Sequence, residues 1–226
     1  MKRPNKKETH KPSEIRLNRF VANAGVCSRR EADGLISSGK IKVNNKVITE
    51  MGYRVKKTDR VEYKGRRLKS ETHQYILLNK PKGFVTTTKD PHAKRTVMEL
   101  VERACDERIY PVGRLDKETT GLLLFTNDGE TAKKLTHPSH KVKKIYQAEL
   151  DKPITRDDFD KILNGVQLDD GEASVNELAV LSEDGKTLGI EIHIGRNRIV
   201  RRIFEHFGYN VKKLDRVMFA SLTKKN

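Results

Sequence analysis

Asp116 stands at the end of Pro111-Val112-Gly113-Arg114-Leu115-Asp116 and opens a polar turn, Asp116-Lys117-Glu118-Thr119-Thr120-Gly121. The turn leads into Leu122-Leu123-Leu124-Phe125, a short apolar run between turn signals that reads as a buried strand. Two readings of Asp116 stay open at this point. An aspartate in such a place often caps a turn. It is also a carboxylate held at the mouth of a sheet with Arg114 beside it, and loops on rigid strands commonly hold catalytic groups.

A second cluster runs Gly195-Arg196-Asn197-Arg198-Ile199-Val200-Arg201-Arg202. Val200, Ile203, Phe204 and Phe207 can form the inner face of a helix here. Arg198, Arg201 and Arg202 cannot all be buried with them. They make either an ordinary basic helix face or a set of contacts for a polyanion. A carboxylate paired with one of these arginines would stay ionised, as a nucleophile or base requires. Tyr146, in Lys143-Lys144-Ile145-Tyr146, is either strand packing or a platform for a nucleic-acid base. Asn79-Lys80-Pro81-Lys82-Gly83 is a basic turn after an apolar strand.

Other chemistries lack their residues. His137 and His140 are three apart, but Pro138 between them argues against a helix presenting both, so they read as surface residues. Cys27 and Cys105 lie far apart, and there is no CxxC or HExxH, so no metal site is expected. No Walker or dinucleotide glycine pattern occurs, which counts against ATP, NAD or a methyl donor in a Rossmann pocket. Apolar runs are short and broken by charge, so no membrane span is expected. With no export signal and no disulfide framework, a reducing cytoplasm is the expected compartment.

The elements that must position these groups fall into two units. Residues 1–13 are polar, basic and turn-rich, an expected disordered tail. Leu17, Phe20, Val21 and Ala24 have helical spacing, stopped by Gly25. Ser28-Arg29-Arg30-Glu31 fits a capping box that starts a second helix, ended by Gly39. Short strands around Asn44-Asn45 and Lys64-Gly65 follow. Composition shifts near Ser70-Thr72, giving a small unit over 14–72 and a larger one over 73–226. In the larger unit Tyr75 to Leu78, Leu122 to Phe125, Ile145 to Leu150 and Ile190 to Ile194 read as strands. Helices are expected after Thr155 and from about Asn197 to Phe207. The mixture lacks strict βαβ alternation and reads as an α+β domain with a mainly antiparallel sheet.

The chain carries 47 Lys and Arg against 31 Asp and Glu, a net charge of +16. Residues 1–74 hold 20 of the basic and 8 of the acidic side chains, so the excess sits at the front. Arg16, Arg19, Arg29, Arg30, Lys40 and Lys42 are placed to surround the helix pair. Such a field attracts polyanions and points to nucleic acid.

These motifs, in this order, resemble the RsuA/RluB-type pseudouridine synthases. Pro111 to Asp116, continued by Thr119-Thr120-Gly121-Leu122-Leu123-Leu124-Phe125-Thr126-Asn127-Asp128-Gly129, resembles their signature. Asn79 to Gly83, Lys144-Ile145-Tyr146, Gly195 to Arg202 and Leu214-Asp215-Arg216 resemble their other motifs. Ile15 to about Leu68 is similar to the S4-like RNA-binding domain that precedes the catalytic domain in that family. The resemblance implies cofactor-independent isomerisation of a uridine in ribosomal RNA, with the large-subunit 23S rRNA favoured over the 16S. It implies Asp116, Tyr146 and Arg201 as catalytic, Arg201 paired with Asp116. It places Arg114, Leu214 and Lys80 at the substrate pocket, and Arg196, Arg198 and Arg202 on phosphates. The partner would be ribosomal RNA or a ribosomal subunit precursor, met by a monomer. Ile199 departs from the family, which commonly has glutamine there. The rival readings are a non-catalytic RNA-binding or ribosome-assembly protein, and an RNA methyltransferase with the same front domain. The first has no need of Asp116, and the second lacks its cofactor loop.

Overall fold

The structure, a computed structural model, describes residues 14–88, 90 and 94–224. The expected tail over 1–13 lies outside them. The chain divides into two compact units that meet between Thr72 and His73.

The first unit contains β1 (Ile15–Arg16), α1 (Leu17–Asn23), α2 (Arg29–Ser37), β2 (Ile41–Val43), β3 (Lys46–Val47), β4 (Arg54–Val55), β5 (Val61–Tyr63) and β6 (Arg66–Arg67). Its helix starts and stops follow from local chemistry. The Ser28 hydroxyl accepts the Glu31 N–H at 3.3 Å, and the Glu31 carboxylate accepts the Ser28 N–H at 2.8 Å. Strands β3, β2, β5 and β6 form one antiparallel sheet in that order. Asn44 and Asn45 both take positive φ, the backbone a tight hairpin requires. Leu17, Val21, Ala32, Ile36, Ile41, Val43, Val55 and Val61 close into a small core.

The second unit contains β7 (Tyr75–Lys80), β8 (Tyr110–Pro111), β9 (Thr120–Thr126), α3 (Gly129–Thr136), β10 (Lys144–Leu150), α4 (Arg156–Leu163), β11 (Val166–Leu168), β12 (Gly171–Ala173), β13 (Glu177–Val180), β14 (Thr187–Ile192), α5 (Ile199–His206), β15 (Val211–Phe219) and β16 (Leu222–Thr223). Its main sheet runs β13-β14-β10-β15-β9-β7, with β16 on β15 and β8 on β9. Every pairing in it is antiparallel except β9 with β15. This is a mixed, mainly antiparallel α+β sheet.

The continuous apolar run of β9 is explained by burial on both faces. Leu123 and Phe125 enter the larger core with α4 and α5, through Ile162, Val200, Ile203 and Phe204. Leu124 enters a smaller core on the other side, against Ala132 and Leu135 of α3. The parallel contact is close: a Cβ built on Gly121 would lie 2.4 Å from the Arg216 carbonyl oxygen. Gly121 also has φ +111°, so only glycine fits there. That contact fixes β15, and with it Leu214 and Arg216, against the start of β9.

One helix differs from its expected bounds, and another was not expected. α5 begins at Ile199 rather than Asn197, because Arg198 takes a left-handed backbone. α3 shows little apolar periodicity and is instead started by Asp128, whose carboxylate accepts the N–H groups of Glu130 and Thr131. Among the described residues, no helix is long and apolar enough to cross a membrane.

Candidate active site

The loop between β8 and β9 carries Arg114, Leu115 and Asp116, and it is held from beneath. Lys80, at the end of β7, is fully buried. Its ammonium has four carbonyl oxygens in reach: Thr119 at 2.8 Å, Asp116 and Pro81 at 3.1 Å, and Lys117 at 3.2 Å. Burial pulls its pKa down to about 8, while the negative charges of Glu118 and Asp116 oppose the fall. The buried Thr86 hydroxyl donates to the Leu115 carbonyl at 2.7 Å and accepts the Leu115 N–H at 3.2 Å. The Gly83 N–H adds a bond to the Lys117 carbonyl at 2.9 Å. The backbone on either side of Asp116 is therefore fixed, and its side chain is presented from a rigid loop.

Asp116 faces a cavity of about 350 Å³. Arg114 and Thr119 share its loop, Tyr146 comes from β10, and Leu214 and Arg216 come from β15. Tyr146 pairs with Arg216 across the two strands, next to a register shift after Ile145. A further wall runs from His193 to Arg196 and from Arg198 to Val200, and a third comes from Leu135 to Pro138. Among the described residues, Asp116 is the only carboxylate in this lining, whereas Arg114, Lys144, Arg196, Arg198 and Arg216 are cationic. A single carboxylate set against an apolar and aromatic floor, with cations around it, suits an anionic substrate carrying a flat base.

The site expected from sequence is thus partly redrawn. Asp116, Tyr146, Arg114 and Leu214 line one cavity. Lys80 does not; it is a buried strut, because its charge is used up on backbone carbonyls. Arg201 is also behind the wall, 7% exposed, and donates to the Val211 carbonyl at 2.6 Å. The expected direct pair with Asp116 is not formed: the two are not in ion-pair contact. Burial and the Arg198 charge lower the Arg201 pKa, and Asp116 opposes them through space.

The arginines expected to meet phosphates are already engaged. The β11–β12 turn brings Asp169 and Asp170 against them. Arg202 bonds both carboxylates, at 2.7 and 2.9 Å to those of Asp170. Arg196 bonds the Asp170 carboxylate and carbonyl at 2.8 Å, and the carbonyls of Gly171 and Glu172. Arg198 pairs with Glu205 at 3.1 Å. In the first unit Arg16, Arg29, Arg30, Lys40 and Lys42 are exposed, and Arg19 is half-buried.

Sequence reasoning missed Lys144 and Arg216 as cavity groups. The Lys144 ammonium donates to the carbonyls of His193 at 2.7 Å and Val142 at 3.0 Å. Arg216 is buried and donates its Nε–H to the Leu122 carbonyl at 2.8 Å. The only signal for either was its place beside Tyr146 and Leu214. Ile199, where the resembling family commonly has glutamine, is 6% exposed and adds an apolar surface to the cavity. Among the described residues, no group of acidic, cysteine and histidine side chains is placed to hold a metal ion.

Comparison with known proteins agrees with this architecture. Residues 74–206 match the RNA pseudouridylate synthase family, and residues 15–61 match the S4 domain. A Bacillus subtilis protein, ribosomal large subunit pseudouridine synthase B, is 41% identical over 92% of this chain and 86% of its own length. An uncharacterized RNA pseudouridine synthase of Aquifex aeolicus is 38% identical over 92% of this chain and 85% of its own. A crystal structure of a pseudouridylate synthase superposes with a TM-score of 0.64 at 25% identity, covering 92% of this chain and 90% of that one. The chain belongs to the RNA pseudouridylate synthase family and carries an S4 domain at its front.

Proposed function

We propose that this enzyme converts a uridine of large-subunit ribosomal RNA to pseudouridine in the cavity that Asp116 faces. The observation that carries the reading is Asp116 as the lone carboxylate of that cavity among the described residues, on a loop pinned by Lys80, with Tyr146 in the same lining. The choice of the large subunit follows the Bacillus subtilis relative, a large subunit synthase by name.

The reaction is an isomerisation, so its atoms balance without a co-reactant. The bond from ribose C1′ to uracil N1 breaks, the base turns, and C5 joins C1′. The C5 proton is lost and N1 gains one. Asp116 serves at the ribose, either attacking C1′ or removing a ribose proton. A base inside folded RNA must first leave its stack, at a cost of a few kcal/mol. Arg114, exposed at the rim, occupies the vacated space, and Tyr146 stacks on the extruded base. Leu214 gives the base an apolar contact. Arg201 acts on Asp116 through space from behind the wall. The S4 domain presents Arg16, Arg19, Arg29, Arg30, Lys40 and Lys42 to RNA phosphates, which adds affinity without sequence readout.

The test is a pseudouridine map of both ribosomal RNAs from cells with and without this gene. One or a few sites of the large-subunit RNA should lose the modification and regain it when the gene is restored. Unchanged maps of that RNA would contradict the reading, and a site lost from the small-subunit RNA would move the substrate there.

A further inference from the structure

The cavity holds two cations, half-buried Lys144 and buried Arg216, that no carboxylate of the described residues neutralises. Lys144 uses two N–H groups on the carbonyls of Val142 and His193, and its third has no partner among the described residues. Arg216 is 2% exposed, lies over the Phe219 ring at 4.6 Å, and has an Nη2 shut off from solvent without a partner. Burial, and then the Arg216 charge, pull the Lys144 pKa down to about 8. Unneutralised charges drawn partly or wholly out of water cost stability. A catalytic cavity gains from them if negative charge develops there during the reaction.

The other charged and titratable groups in the walls do not cancel this pair. Asp116 lies on the loop between β8 and β9 and is committed to the ribose. The His193 ring is bonded to Asn176 at 2.7 Å. His137, Arg114, Arg196 and Arg198 add no negative charge.

We infer that Lys144, together with Arg216, stabilises the uracil anion that forms when the glycosidic bond breaks. The inference rests on the proposed isomerisation. When C1′–N1 breaks, its electron pair stays on the base and spreads over N1, O2 and O4. The free N–H of Lys144 donates to one of these ring oxygens, and the Arg216 charge, in the same lining, lowers the energy of the same anion. When C5 joins C1′, the pair returns to a covalent bond and the demand for positive charge ends. Both groups are preorganised, since carbonyls hold Lys144 and Leu122 with Phe219 holds Arg216.

Acidity of the leaving base discriminates this role from a structural one. Full-length wild-type enzyme, K144M and K144R are compared in single turnovers on large-subunit rRNA transcribed with uridine or with 5-fluorouridine. Rearrangement is read by chromatography of the digested nucleosides. Fluorine makes the ring a better anion, so the departing base needs less help. K144M should be slower by on the order of 10²-fold on the uridine RNA, with a clearly smaller loss on the fluorinated RNA, and K144R should recover part of the rate. An equal loss on both RNAs would overturn the inference. If K144M does not fold, K144Q and K144R give the same comparison. No turnover by the wild-type enzyme on uridine RNA would instead count against the isomerase reading itself.

Discussion

At the scale of single residues, the site is defined by which charges are spent and which are free. Lys80 is spent on the loop that carries Asp116. Replacing it with Met leaves buried carbonyls without a donor, at about 1–3 kcal/mol. K80M should melt earlier and turn over more slowly although Asp116 is intact; unchanged denaturant midpoint and rate would refute the strut. Arg196 and Arg202 are spent on the Asp169-Asp170 turn. An R202A variant should therefore weaken RNA binding less than R29A/R30A does, as read by filter binding at fixed salt. None of these assignments was legible locally. Lys80 ends an apolar strand and finds three of its four acceptors 36 to 39 residues later. The partners of Arg202 lie 32 and 33 residues away. The sequence shows a lysine and a basic cluster, and only the fold decides whether they face RNA or the protein itself.

At the scale of elements, the short first unit was the most readable part. Its capping box and its helix-stopping glycines act through neighbours in the chain, so α1 and α2 follow from spacing alone. β15 was unreadable, because Arg216 is buried where alternation calls for an apolar residue, and α3 carries only Ala132 and Leu135 on its inner side. Two predictions belong here. Gly121→Ala would force a Cβ into the Arg216 backbone at positive φ, with a loss of about 3 kcal/mol or more. Chemical denaturation measures it, and a near-neutral variant would disprove the close approach. Asp128 caps α3 and accepts the Tyr75 hydroxyl at 2.9 Å. Burial pushes its pKa up, but bonds from Thr131, Tyr75 and Glu130 prevail and hold it near 2. A carboxylate with a depressed folded-state pKa stabilises above its unfolded value and loses that contribution as pH falls through the folded one. Stability should thus fall between about pH 4 and pH 2 partly through this group. D128N should show a shallower decline there than the wild type; identical slopes would remove the linkage.

At the scale of the whole molecule, charge is divided between two tasks. Residues 1–74 carry +12 of the +16 excess, with Arg16, Arg29, Arg30, Lys40 and Lys42 exposed, and the second unit places Arg114, Lys144, Arg196, Arg198 and Arg216 in the lining of one cavity. Replacing Arg16, Arg29, Arg30, Lys40 and Lys42 with Gln should lower RNA affinity at low salt. It should also reduce the slope of log K against log salt by about 0.7–0.9 for each phosphate that is no longer neutralised. An unchanged slope would show that this surface is not the RNA footprint. Isomerisation in the Asp116 cavity has a more direct test. Purified wild-type enzyme and D116N are incubated with large-subunit rRNA, and pseudouridine formation and RNA affinity are measured on the same preparations. D116N should form no pseudouridine while binding the RNA within a few-fold of the wild type; turnover retained by D116N would contradict the role of that cavity.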